Sequence, residues 1–129
     1  MDPDGRTMVR RLSKSAFFIG LVAVIALSLL PQETIPETGL WDKWNHTLAY
    51  AVLALSGGVG FKGWRSLLTV GIGLVVLGAG LELAQSVTPD RDGSIFDAVA
   101  NLIGVAIGSA ASLGTNTLIA RSADRSEPR

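Results

Sequence analysis

Few side chains in this chain of 129 residues could do chemistry. Its single histidine is His46, and Glu82 and Asp97 are carboxylates set into otherwise apolar sequence. Around them in the sequence stand Asp42, Lys43, Tyr50, Gln85, Arg91 and Asn101. An imidazole beside carboxylates is the equipment of proton transfer, worth about 10² to 10⁴ in rate when positioned against a substrate. In that arrangement His46 would be base or acid, Glu82 or Asp97 would orient it or share its proton, and Arg91 would clamp an anion such as a phosphate or carboxylate. His46, Asp42, Glu82 and Asp97 also offer nitrogen and oxygen donors to a divalent ion. This is a secondary expectation, because one histidine and no cysteine do not make a tight structural zinc site. No cofactor is expected. The absence of cysteine excludes disulfides and a thiolate nucleophile.

The elements that must carry these residues are apolar. Charged residues make up 17% of the chain and hydrophobic ones 48%, with a mean hydropathy of +0.41. A soluble domain carries about 25% charged residues, so lipid is the expected solvent. Net charge is zero, which gives no reason to expect a nucleic-acid partner.

Four apolar stretches approach the roughly 20 residues that cross about 30 Å of hydrocarbon. They run from about Ala16 to Leu30, Trp44 to Phe61, Ser66 to Ser86 and Ile95 to Ala120. Pro31 and Pro36, then Lys62-Gly63-Trp64-Arg65, then Pro89-Asp90-Arg91-Asp92-Gly93, mark the breaks. The expected fold is an all-α membrane protein of four transmembrane helices with short loops: residues 1–14 as a cytoplasmic segment, 15–120 as the helical domain and 121–129 as a disordered tail. Arg10, Arg11 and Lys14 before an apolar run also suit a secretory signal, but Pro31-Gln32-Glu33-Thr34 offers no small-x-small cleavage site.

Arg6, Arg10, Arg11, Lys14, Lys62, Arg65, Arg121, Arg125 and Arg129 fall on one side of these spans, with Lys43 and Arg91 on the other. The bias of basic residues toward the cytoplasm then puts both termini inside. It also puts His46, Glu82, Asp97 and their neighbours at the outer ends of the second, third and fourth helices.

Helical spacing groups these positions into stripes: Asp42, His46, Tyr50, Leu53, Gly57 and Gly60; Gly71, Gly78, Glu82 and Gln85; Asp97, Asn101, Gly104, Gly108 and Ser112. Each is polar at its outer end and glycine-rich below. Gly57, Gly78, Gly104 and Gly108 are therefore expected at helix contacts, the last two in a small-xxx-small spacing that lets membrane helices approach closely. Three seams meeting at one end predict an outward-facing pocket. The competing reading is that these polar residues simply bond helix to helix, at about 0.6 to 2 kcal/mol per pair.

Asp42-Lys43-Trp44-Asn45-His46 followed by Tyr50, then Glu82-Leu83-Ala84-Gln85, then Arg91, Asp97, Asn101, Gly104 and Gly108, resemble in order and spacing the blocks of the VanZ-like family of small bacterial membrane proteins. The resemblance covers roughly residues 15 to 118; Thr47 departs from the aromatic residue often found after the family's histidine. It implies a multi-pass protein of the bacterial cytoplasmic membrane with a role in the cell envelope, since the family's founding member is linked to resistance to the glycopeptide teicoplanin. The expected partners are the lipid bilayer and an envelope lipid headgroup or a glycopeptide, with an oligomer or partner protein equally compatible.

Overall fold

A computed structural model describes residues 3–30, 40–87 and 94–124, with the backbone alone described at 40–42 and 124. The described residues form four helices: α1 (Pro3–Leu29), α2 (Leu40–Gly60), α3 (Trp64–Ser86) and α4 (Ile95–Asp124). The first begins well before Ala16. Pro3 suits the first helical position and Asp4 the positive end of the helix dipole, so the basic stretch through Lys14 is the opening of α1. The last helix likewise runs through Arg121 to Asp124, four residues past the expected end.

α1, α3 and α4 are long and apolar enough to cross a membrane; α2 is not. Of the four transmembrane helices expected, length and composition therefore support three. Asp42, Lys43, Asn45 and His46 at the start of α2, and Ser56, Gly57, Gly58 and Gly60 at its end, lower its hydropathy. Its position explains why it can be polar. α2 supplies Tyr50, Leu53, Ala54 and Val59 to the buried apolar core, where α1 gives Phe17 and α3 gives Leu74. The second half of α2, Leu53 to Gly60, is enclosed by the other three helices, whereas Trp44, Leu48 and Val52 of its first half are exposed. Large apolar side chains also cover the outer faces of the other helices, including Phe18, Ile19 and Val22 on α1, Leu68, Ile72 and Val76 on α3, and Ile103, Ile107 and Leu118 on α4. Exposed hydroxyls on those faces bond their own helix: Thr69 donates to Arg65 O, Thr115 to Ala111 O and Thr117 to Leu113 O. Such back-bonding leaves no polar hydrogen unsatisfied toward a lipid-like surrounding.

The tightest seam joins α2 to α4. A Cβ at Gly104 would collide with the Thr47 carbonyl oxygen, and one at Gly108 with that of Ala51. Neither neighbour is a movable side chain, so glycine is required for this approach. Thr47 Oγ1 donates to Ala100 O at 3.3 Å across the same seam. Lower down the relation reverses: Gly58 of α2 leaves the space that Ser112 of α4 fills. Gly57 faces Phe17 and Val70, which links α2 to α1 and α3. Gly63, with φ of 101°, makes the turn into α3, a left-handed conformation that a side chain would strain.

Candidate functional site

The start of α2, the end of α3 and the start of α4 lie at the same end of the bundle. His46 sits two turns into α2, Glu82 one turn from the close of α3 and Asp97 in the first turn of α4. One ligand atom from each of the three lies within 4.8 Å of the others, and all three side chains are half-buried. The convergence expected from the stripes is thus present for the three central residues.

The surroundings fix each group differently. His46 Nδ1 is 3.1 Å from Asn101 Oδ1. An amide oxygen only accepts, so Nδ1 carries the proton and donates it, and in the neutral ring the lone pair is on Nε2. Asn101 itself is 3% exposed, which makes it a rigid partner. Glu82 Oε2 accepts from the backbone N–H of Ser94 at 3.1 Å. Ser94 O in turn accepts from the N–H groups of Asp97 and Ala98, so Glu82 is tied to the residue that opens α4. Asp97 Oδ1 is buried and has no hydrogen-bond partner. Desolvating a charged oxygen without a partner is costly, and its position at the α4 N-terminus, where the helix dipole favours an anion, offsets only part of that cost.

Tyr50 is 2% exposed and lies beneath the site, where Gly78 makes room for it: a Cβ there would be 3.2 Å from the Tyr50 hydroxyl and 3.1 Å from Asn101 Nδ2. Two expected site residues turn elsewhere. Gln85 Nε2 donates to Ser28 O at 3.0 Å, tying α3 to the last turn of α1. Lys43 is exposed and holds its ammonium 5.8 Å from the Phe96 ring centre, a cation–π contact across the mouth of the α2–α4 seam. The side chain of Asp42 and the whole of Arg91 lie outside the described residues.

The sequence reading missed a second polar layer at the other end of α2. Arg10 Nη1 donates to Val59 O at 3.1 Å, and Asn116 Nδ2 donates to Gly58 O at 2.9 Å. Both carbonyls belong to the last turn of α2, where intrahelical partners run out. Extending the α4 stripe four residues beyond Ser112 would have reached Asn116; nothing in the spacing of Arg10 pointed to α2.

A cavity of about 540 Å³ lies between α1 and α3, lined by Phe17, Leu21, Ile25, Phe61, Arg65, Val70 and Leu77 among others. It is almost wholly apolar and reaches Arg65 at the opposite end of α3 from Glu82. The polar cluster and this groove are therefore separate features. No family model, curated protein or solved structure matches this chain.

Proposed function

We propose that this chain is a VanZ-like protein of the bacterial cytoplasmic membrane, crossing it four times with both termini inside, and that its His46 end opens outward to bind or act on an envelope lipid or envelope-linked substrate, with a consequence for glycopeptide resistance. The observation that carries the reading is the meeting of His46, Glu82 and Asp97 from three helices with one carboxylate oxygen buried and unpartnered. Polar groups that served only to bond helices would be expected to be paired. Three apolar helices support a membrane setting, and the grouping of basic residues supports the orientation. α2 crosses as the fourth helix, its second half enclosed by the other three and its exposed polar residues Lys43 and Asn45 placed near its outer end.

In this reading Asn101 holds the His46 ring with Nε2 free of a proton, so that nitrogen can accept one from a substrate hydroxyl or water. Asp97 stabilises the imidazolium that results, and Glu82 keeps the opening of α4 in register.

The test is teicoplanin susceptibility of a bacterial host expressing the full chain, together with mass spectrometry of lipids retained by the purified protein. His46→Ala and Asp97→Asn should return susceptibility to that of the host without the protein and remove any retained lipid. A His46→Ala variant that protects as well as the parent would overturn the reading.

A second reading is favoured by the Glu82–Ser94, Gln85–Ser28 and His46–Asn101 bonds, each of which joins two helices. Here the polar end is a non-catalytic binding or shielding surface, or a scaffold for a partner protein. His46→Gln keeps hydrogen bonding but cannot shuttle a proton, so full function in that variant would favour this second reading.

A further inference from the structure

We propose that His46, Glu82 and Asp97 together bind one first-row divalent cation of the zinc class. The inference rests on reading the His46 end as a site and names what that site holds. Three observations lead to it.

The donor atoms come from three different helices and lie within 4.8 Å of one another, close enough for small side-chain rotations to bring them onto one ion. Asp97 Oδ1 is buried without a partner while a second carboxylate, Glu82, stands beside it. Two anionic groups held this close repel, and a shared cation converts that repulsion into attraction.

The supporting groups are also of the kind that set up metal ligands. A ligating histidine usually donates its other ring N–H to an oxygen that fixes its tautomer, and His46 donates Nδ1–H to the buried Asn101 Oδ1. The Ser94 backbone N–H donates to one oxygen of Glu82 and so orients the carboxylate beside Asp97.

The donor set selects the class of ion. Imidazole favours zinc and its neighbours over magnesium and calcium, which prefer oxygen alone. Three protein ligands with the remaining position open is the pattern of a catalytic or substrate-binding zinc site, in contrast to a closed structural one. A half-buried ion with an open position would take an anionic oxygen, such as a phosphate or carboxylate, from outside the bundle.

The experiment uses the full chain purified in detergent, stripped with EDTA and titrated with zinc chloride, followed by calorimetry and elemental analysis. One zinc per chain is expected. His46→Ala and Asp97→Asn should weaken binding by about 100-fold or more, and Asn101→Ala, which only positions His46, by about 10- to 100-fold. Thr115→Ala on the exposed face of α4 should bind as the parent does.

Cobalt titration of the unmodified protein gives a readout that does not depend on any variant folding: visible ligand-field bands of a four- or five-coordinate nitrogen and oxygen site are expected. Absence of zinc binding or of those bands, or equal binding by all variants, overturns the proposal. If zinc fails to bind but His46→Ala still abolishes protection from teicoplanin, the site reading stands without the ion. If zinc binds as expected and protection is indifferent to His46, the metal site stands and the envelope reading falls.

Discussion

At the Arg10 end of the bundle, side chains from α1 and α4 bond backbone carbonyls of α2, whereas at the His46 end side chains from α2, α3 and α4 face one another. The first arrangement answers a need every helix has, since its last carbonyls lack partners. Backbone groups are also bonded at that end, the Ser94 N–H by Glu82 and the Ser28 carbonyl by Gln85, but the meeting of His46, Glu82 and Asp97 answers no such need. Among the described residues, each end also has one buried acceptor with no hydrogen-bond partner, Asn116 Oδ1 at the first and Asp97 Oδ1 at the second. They are unequal: an amide oxygen left alone costs about 1–3 kcal/mol, and a charged group costs more. Polar residues alone therefore do not distinguish the two ends. A buried carboxylate oxygen without a partner does.

Perturbations of stability can break or sharpen this contrast. The largest effect is expected between the two ends, where α2 and α4 touch. Gly108→Leu places a side chain against the Ala51 backbone and should cost about 3 kcal/mol or abolish accumulation of folded protein, read by yield and by thermal unfolding in detergent. At the capping end, Arg10→Ala removes a charged hydrogen bond to Val59 O and should destabilise by about 1.5–3 kcal/mol. At the His46 end the sign reverses. Asp97→Asn removes one of two neighbouring carboxylates and should raise the stability of metal-free protein by about 1 kcal/mol, measured by thermal unfolding in EDTA. Loss of stability there would mean that the carboxylate is structural, and the two ends would then be alike. Gly63→Ala should cost about 1 kcal/mol through its left-handed backbone alone, since nothing lies near the added methyl. The smallest change is expected for Gly114→Ala on α4, where the space is open: a gain of up to about 1 kcal/mol from helix propensity.

Much of this arrangement was readable before any coordinates, because both the glycine seams and the polar residues obey helical spacing. The Asp97, Asn101, Gly104, Gly108 and Ser112 stripe does face α2, and Tyr50 and Gly78 do meet. Hydropathy placed the apolar middles of the helices well and their ends poorly. Arginine and methionine are good helix formers, so α1 continues back to Pro3 through residues that no apolar count would include. Four helices were expected and four are found, but only three are apolar enough to span by composition, because α2 carries Lys43, Asn45 and His46 at its start. Gln85 shared the Glu82 stripe, yet its longer reach takes it to Ser28, since spacing fixes a face only to within the arc a flexible side chain can sweep. Arg10 was legible only as a charge, because its role depends on a carbonyl 49 residues away.

The close packing of α2 against α4 has a consequence for how the protein is made. In the four-span arrangement, α2 leaves the ribosome directly after α1 and before α3 and α4, yet its seam with α4 needs the last helix of the chain. A nascent chain ending after Gly60 would present the insertion machinery with a segment that lipid accepts poorly and that has only α1 for company. In that arrangement, membrane integration of α2 should be delayed until α4 is synthesised and can pack against it.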